Sequence, residues 1–357
     1  MPARVLSVST GGTMHILSVV MLWSLLLVSS ALAQTRSIAD LANYRGADRE
    51  EVLKAGAKKE GKLVWYTSLT AHRDIANVFE AKYPGIKVET YRAGSTDLTR
   101  RILSEAQARR NLADLVETTP PTLMVMRENK LLLPYFSPYL VKYRADAKEE
   151  AGKDTVLWAT DRESIISLGY NKNIVGAADV PKSFADLVNP KHKGKLGVSG
   201  DSTGVRFLGA VIQAKGEEFV KQLAPLEMKM HMISGGAIHE LMATGEMPMS
   251  VSIFRNHVLA GQAKGAPTEW VPLDLNATNA GGVALPAASN NPHAALLLAD
   301  FLLSPEGQKI FEEKFRFATS TKDYGFKRWY PEKGKTIEQY EKSDDRWKKL
   351  LREITRK

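Results

Sequence analysis

One segment near the amino end of the chain constrains the fold most. Residues 61–68 carry a short apolar run that ends in a hydroxyl-rich loop. A helical pattern over residues 71–82 follows, closes on Tyr83-Pro84-Gly85 and leads into a second apolar run at residues 86–88. Strand, helix and strand in this order predict a βαβ unit. Its first loop lies at the carboxyl end of a strand, where α/β proteins commonly bind small ligands.

The same alternation of short apolar runs with amphipathic stretches continues along most of the chain. It predicts α/β architecture. The patterns predict helices at residues 48–59, 95–106, 181–187, 205–214, Pro292–Leu303 and in a charged tail from residue 333, packed on the outside. They predict strands at residues 114–116, 164–170, 196–198, Met249–Phe254 and 281–285.

The first 33 residues have the pattern of an export signal. Arg4 supplies a positive charge, residues 16–28 are almost entirely apolar, and Ala31-Leu32-Ala33 has the small residues of a cleavage site. The apolar run is shorter than the ~20 residues of a spanning helix, which favours a signal peptide over a membrane anchor. The mature chain is then expected to begin at Gln34, in the periplasm.

Charge and composition narrow the function classes. The chain has a net charge of +9 and no cysteine, so disulfides, thiolate chemistry and a lipid-modified cysteine anchor are excluded. The basic residues are scattered among acidic ones and form no basic-aromatic stripe, which argues against nucleic acid as a partner. The histidines lack metal-ligand spacing, so neither a metal site nor a cofactor is predicted.

One motif would suit an enzyme. Gly200-Asp201-Ser202-Thr203-Gly204 matches the G-x-S-x-G nucleophile pattern, and Asp274 and His293 follow in the order typical of α/β hydrolases. The alternative is a glycine-rich turn whose N–H groups bind an anion or cap a helix. No His-Gly-Gly motif supplies an oxyanion hole, so we favour a protein that is not an enzyme.

Four polar loops recur at strand-to-helix junctions, at residues 67–68, 94–96, 118–119 and 202–204. Each places hydroxyls and free N–H groups at a helix N-terminus, where partial positive charge favours anions. Together they predict a cleft for a small polar solute. The charged run Asp161-Arg162-Glu163 either belongs to such a cleft or is a solvated cluster.

With these features the chain resembles a periplasmic solute-binding protein of an ABC importer, in extracellular solute-binding family 1. It is similar to the branch that binds ferric ion, thiamine, phosphonate and sugar phosphate. The resemblance rests on residues 59–68 (KEGKLVWYTS), 79–88, 186–194, 245–246 and 300–308. It implies a type II periplasmic-binding-protein fold: two α/β lobes, hinge strands and a cleft between the lobes. It also implies a monomer that delivers its solute to a membrane permease and ATPase.

The resemblance further implies where the lobes divide. After the signal at residues 1–33, the first lobe takes residues 34–160 and 281–330. The second lobe takes residues 161–280, and residues 331–357 form the helical tail.

Ferric-binding relatives hold the ion with a His, a Glu and two adjacent Tyr. Matched by spacing, these places fall at Thr70, Thr119, Arg255 and Asn256, so none of the four ligands is kept. Ferric iron needs anionic oxygen donors, and an arginine in their place would repel it. Iron binding remains an alternative only through a different set, such as Tyr66, Glu117 or His257.

Arg255 favours an anion instead, because its planar guanidinium binds carboxylate or phosphate through two hydrogen bonds. The predicted ligand contacts are Tyr66, Ser68, Thr70, Thr119, Ser202, Thr203, Gly204, Arg255 and Asn256. Further candidates are Arg92, Arg162 and Arg206. The solute stays open among phosphonate, sugar phosphate, carboxylate, polyamine and metal chelate. A signalling receptor would share the same cleft.

Overall fold

The computed structural model describes Met1, Ala3, Leu6 and residues 37–233 and 235–355. The predicted export signal therefore lies outside the described residues, apart from those three positions. Residues from Ile38 onward form one compact unit. Among the described residues, no helix combines the length and the apolar character that crossing a bilayer requires.

Helices and strands alternate through the compact unit. The helices are α1 Ile38–Ala42, α2 Arg49–Glu60, α3 His72–Lys82, α4 Ser95–Gln107, α5 Pro120–Glu128, α6 Phe184–Leu187, α7 Ser202–Lys215, α8 Glu217–Val220, α9 Gly235–Thr244, α10 Arg255–Gln262, α11 Pro292–Leu303, α12 Pro305–Glu313 and α13 Ile337–Thr355. The strands are β1 Lys62–Thr67, β2 Lys87–Arg92, β3 Leu115–Thr118, β4 Leu132–Leu133, β5 Lys148–Gly152, β6 Thr155–Asn171, β7 Leu196–Ser199, β8 Lys229–His231, β9 Met249–Phe254, β10 Thr268–Val271, β11 Asn276–Pro286 and β12 Arg328–Trp329.

The strands join in the order β2-β1-β3-β11-β6-β9-β7-β8. Strands β1, β2 and β3 run parallel to one another, and so do β7, β8 and β9. The long strands β6 and β11 pair antiparallel between these two groups. Two parallel groups are thus connected through a pair of crossing strands.

The predicted βαβ unit is confirmed. Lys62 of β1 pairs in parallel with Lys87 of β2, and α3 connects the two strands. Ile75 and Phe79, four residues apart on α3, are fully buried. Gly85 turns the chain toward β2 with a left-handed φ of 89°, a conformation that glycine adopts without steric cost.

Some predicted elements differ in length. The strands expected at residues 164–170 and 281–285 extend to 17 and 11 residues, because each crosses from one parallel group to the other. The helix expected at residues 181–187 forms only at Phe184–Leu187, since the side chain of Ser183 caps its first turn.

The charged tail is helical as predicted, but it also contributes to the core. Tyr340, Trp347, Leu351 and Ile354 of α13 are buried, three to seven residues apart. They join the apolar cluster that includes Phe207 and Val211 of α7. The lobe boundaries remain a prediction, because β6 and β11 run through them without interruption.

Candidate functional site

The strand register brings together the carboxyl ends of the two parallel groups, β1–β3 and β7–β9. The two groups end on opposite sides of β6. Thr118, the last residue of β3, pairs with Gly282, which pairs with Thr160 of β6. Phe254, the last residue of β9, pairs with Ile166. Since β3 is parallel to β6 and β9 is antiparallel to it, both groups end toward residues 161–165. Ligands of open α/β sheets bind at such carboxyl ends.

We call the space between these two edges the cleft, and residues 161–165 of β6 its floor. This part of β6 is irregular. Gly281 pairs with Arg162 and Gly282 pairs with Thr160, so Asp161 is the extra residue of a β-bulge. Bulges often re-aim side chains near functional sites. Burial raises the pKa of Asp161 well above its usual range, and the neighbouring charge of Glu117 adds to the effect.

The strands β1, β2 and β3 form one wall of the cleft, which we call the β1–β3 wall. A buried ion pair connects the floor to this wall. Arg162 Nη2 lies 3.0 Å from Glu117 Oε1, and these side chains are 7% and 0% exposed. The hydroxyl of Thr67 donates to the other oxygen of Glu117. Arg162 also lies 3.5 Å from Ser68 Oγ and 5.4 Å from the ring centre of Phe317. The charged run at residues 161–163 is therefore buried in the cleft floor and is not a solvated cluster.

Gly281 makes room for this ion pair. A methyl group on its Cα would overlap Glu117 Oε1 and lie 2.9 Å from Arg162 Nε. We expect Gly281→Ala to lower the free energy of unfolding by about 1–3 kcal/mol, the usual cost of overpacking. Urea denaturation measures the change. The control is Gly176→Ala, where the nearest atom is 3.9 Å from the added methyl. Equal stability of both variants would contradict the prediction.

The parallel group β7–β9 forms the opposite wall of the cleft, which begins where β9 ends. Arg255 is the first residue of α10, and its guanidinium lies 5.0 Å from the ring centre of Tyr324. Burial lowers the pKa of Arg255, although Tyr324 and Glu312 partly oppose the shift. Within the described residues Arg255 makes neither a hydrogen bond nor an ion pair. Asn256 is 8% exposed, and its buried Oδ1 likewise has no hydrogen-bond partner among these residues.

Three helices begin at this wall because β9, β7 and β8 are parallel neighbours. The start of α9 packs on that of α10: a methyl group on Gly235 would lie 3.0 Å from the ring of Phe254. At the start of α7 a methyl group on Gly204 would overlap the carbonyl of Ser199, so only glycine fits there. Such N-termini carry partial positive charge.

The residues predicted at the start of α7 are only partly available to a ligand. Asp201 caps the helix, and its Oδ1 accepts from Thr203 N at 2.7 Å and from Ser199 Oγ at 2.6 Å. Thr203 and Gly204 are buried, whereas Ser202 is exposed. The carboxylate of Asp201 thus occupies part of the anion cradle that the sequence predicts.

The predicted contacts on the β1–β3 wall separate into two groups. Ser68 and Thr119 lie at the carboxyl edge, where Ser68 N donates to Glu117 O at 3.0 Å and Thr119 Oγ1 to Ser95 Oγ at 2.9 Å. Thr70 is exposed beyond them.

Tyr66 belongs to the packing behind the wall. Its hydroxyl donates to Glu105 at 2.7 Å and accepts from Arg101 at 2.9 Å, both on α4. Burial, assisted by Glu105, raises the pKa of Tyr66 to about 12. The phenol therefore already has partners within the chain, so the predicted ligand contact at Tyr66 finds no support in this geometry.

The family follows from residues that span most of the chain. Residues 74–336 match the family model for bacterial extracellular solute-binding proteins. The chain belongs to this family. It is therefore the solute-binding component of an ABC importer, a class of periplasmic or extracellular protein that delivers solute to a permease and ATPase. The family predicted from the sequence is confirmed.

Individual proteins resemble this chain in sequence or in fold. An uncharacterized protein of Haemophilus influenzae is 27% identical over 273 residues, which cover 72% of this chain and 77% of the relative. Iron-bound HitA from Pseudomonas aeruginosa is 23% identical, with a TM-score of 0.64 over 82% of this chain and 99% of HitA. AfuA from Actinobacillus pleuropneumoniae with fructose-6-phosphate is 25% identical, with a TM-score of 0.61 over 82% of this chain and 97% of AfuA. The predicted type II fold is confirmed.

The hydrolase arrangement does not form in this solute-binding protein. Asp274 accepts from Phe184 N and pairs with Lys215 at 2.9 Å. His293 Nδ1 lies 2.6 Å from Glu60 Oε1. Both side chains therefore have other partners, and no hydrogen bond among the described residues joins either of them to Ser202.

The alternative iron ligands are also held apart. Tyr66 contacts α4, Glu117 pairs with Arg162, and the ring of His257 packs edge-on against Phe254 at 5.2 Å. In the part of the chain that the structure describes, no three His, Asp or Glu side chains group closely enough to hold a metal ion.

Sequence reasoning missed three functional candidates: Glu117 as the partner of Arg162, Asp201 as the cap of α7, and Tyr324 beneath Arg255. Asp201 could have been found, since an Asp before a helix is a common N-cap. Tyr324 gave no signal, because it meets Arg255 only through the tertiary fold.

Proposed function

We propose that this solute-binding protein captures a small organic anion in the periplasm, after removal of its export signal, and delivers it to its permease. The observation that carries the proposal is Arg255, a half-buried guanidinium at the cleft wall without a carboxylate partner among the described residues. Burying an unpaired charge is costly, so a ligand anion would complete the site.

The four fully buried arginines among the described residues provide a comparison for the half-buried Arg255. Arg49, Arg162, Arg206 and Arg328 each have a carboxylate oxygen within 3.0 Å. Arg255 departs from this pattern at the position where a solute would bind. The four buried arginines find their carboxylates within the chain. Arg255 does not, and this supports a solute anion as its partner.

The opposite wall would contribute polar contacts without excess charge, because Glu117 already neutralises Arg162. Ser68, Thr119 and Ser95 present hydroxyls at that edge. A solute that contacts both walls would stabilise the closed state, since closure is driven only by differential affinity for that state.

The positive charge of Arg255 also argues against ferric iron as the solute. HitA holds iron, but at 23% identity its likeness to this chain shows the fold alone. A ferric ion beside an unpaired guanidinium would be repelled, whereas a phosphate or carboxylate would be attracted. An anionic solute is therefore the better fit.

Arg255→Gln tests the proposal. We expect the variant to lose about 1.5–3 kcal/mol of binding free energy, the value of a hydrogen bond to a charged group. The wild-type protein is screened by thermal shift against phosphonates, sugar phosphates, carboxylates and ferric iron, and every hit is titrated by calorimetry with both proteins. Arg352→Gln, on the exposed side of α13, is the control. Ferric binding that survives Arg255→Gln, without any anion binding, would refute the proposal.

A further inference from the structure

Two exposed methionines lie at the same carboxyl edge as Arg255. Met230 on β8 and Met232 just beyond it are 38% and 75% exposed. Being two residues apart on an extended segment, they face the same side. A methyl group on Gly200, which follows β7, would overlap the sulfur of Met232 and lie 3.3 Å from that of Met230. The two thioethers thus converge over the loop that leads into α7.

This exposure is unusual for large apolar side chains of the compact unit. The others among the described residues from Ile38 onward are Leu112, Val141 and Ile174. Leu112 precedes β3, and Ile174 follows β6, so neither lies at the edge where β7, β8 and β9 end. Exposed apolar groups at the rim of a cleft are typical of ligand sites, and methionine adapts its shape to what it contacts.

The spacing suits a small organic molecule. Strand β7 lies between β9 and β8, which places their ends about 10 Å apart because neighbouring strands are ~4.8 Å apart. Phe254, at the end of β9 and next to Arg255, is partly exposed and adds an apolar group to the same edge. An anionic group at Arg255 therefore places the rest of the solute toward a surface of sulfur and carbon.

We infer that the solute is an amphiphilic organic anion, with an aromatic or aliphatic body that contacts Met232 and Met230. This inference rests on the proposed anion site at Arg255. A thioether donates no hydrogen bond and accepts only weakly, so the methionine surface suits an apolar body better than the hydroxyls of a sugar. A bare inorganic oxyanion would leave the methionine surface uncovered. The class is thus an aryl or alkyl carboxylate or phosphonate.

Matched ligands test the inference by calorimetry. Phenylphosphonate is compared with methylphosphonate, and benzoate with acetate, so that the charged group stays constant while the apolar body changes. We expect the larger member of at least one pair to bind about tenfold tighter or more, as burial of a ring predicts. Met232→Ser should reduce that preference about two- to tenfold, the range of sulfur–aromatic contacts, and leave the small ligand unaffected. Val141→Ser, at a residue 82% exposed, is the control.

The outcomes separate the two claims. Equal affinity for large and small members, with both lost in Arg255→Gln, would overturn the apolar-body inference and keep the anion site. The same follows if Met232→Ser weakens both members of a pair equally. Absence of any Arg255-dependent binding, by these ligands and by inorganic phosphate and glucose-6-phosphate, would overturn the proposed function and this inference with it.

Discussion

Arg328→Met should lower the free energy of unfolding by about 3–5 kcal/mol, because it leaves a buried carboxylate without its cation. Arg328 Nη1 lies 2.7 Å from Glu163 Oε2, and neither side chain is exposed. The hydroxyl of Tyr330 donates to the other oxygen of Glu163. The same guanidinium donates to the carbonyls of Thr319 and Lys322 at 2.9 and 2.8 Å. The substitution therefore also loosens the segment that carries Tyr324 beneath Arg255.

The pH dependence distinguishes this cause from a general packing defect. Burial raises the pKa of Glu163 while Arg328 and Tyr330 lower it, so removing Arg328 raises it further. A carboxyl with a raised folded-state pKa stabilises the fold fully below its unfolded pKa, and this contribution is lost as pH rises through the folded pKa. The penalty of Arg328→Met should thus be larger at about pH 8 than at about pH 4.

Urea denaturation of two further variants completes the test. Arg346→Met removes an arginine whose partner, Glu217, is exposed, and it should leave the midpoint unchanged. Glu163→Gln combined with Arg328→Met removes both charges and should cost less than Arg328→Met alone. A pH-independent loss in Arg328→Met, equal to that of the double variant, would contradict the ion-pair explanation.

Trp347→Ala should also cost about 3–5 kcal/mol, because it removes the largest buried side chain of α13 and leaves a cavity. Trp347 is 6% exposed. Its ring packs edge-on against Trp329 at 5.7 Å and Tyr340 at 6.5 Å, and Lys335 Nζ lies 5.1 Å from the ring centre. The ring also covers Gly209 of α7, the helix that begins at the cleft.

Gly209 provides an internal check on this contact. A methyl group there would lie 3.0 Å from the Trp347 ring, closer than ordinary van der Waals contact. In the Trp347→Ala background Gly209→Ala should therefore show the full helix-propensity gain of about 1 kcal/mol, and in the wild type clearly less. Chemical denaturation of the four proteins measures the coupling, with Lys349→Ala as a surface control. Additive effects would show that Trp347 does not pack on α7 as described.

Much of the fold could be predicted from local pattern. The βαβ unit, strand Met249–Phe254 and helix Pro292–Leu303 follow from apolar periodicity with clear turn residues at their ends. The lengths of the strands and helices were less predictable. Strand β6 continues through Asp161, Arg162 and Glu163 because Glu117 and Arg328 supply partners for charges that would otherwise end a buried strand.

The solute contacts remain a prediction. The sequence predicts Arg255 and Asn256 by resemblance, and Ser68 and Thr119 by their position after strands. The partners of the Tyr66 hydroxyl could not be predicted from the sequence, since Glu105 and Arg101 lie 39 and 35 residues further along the chain.

The sequence by itself determined the family and the α/β alternation, and it predicts, by spacing, an arginine where iron-binding relatives have tyrosine. Those properties are local, because they depend on residue type and short spacing. Only the tertiary structure decided which charges are neutralised. Arg162 of β6 pairs with Glu117 of β3 across the one intervening strand, β11, whereas Arg255 packs on an aromatic ring and forms no ion pair among the described residues. Pairing of charges depends on distances between elements far apart in the chain, and such distances exist only once the sheet has formed.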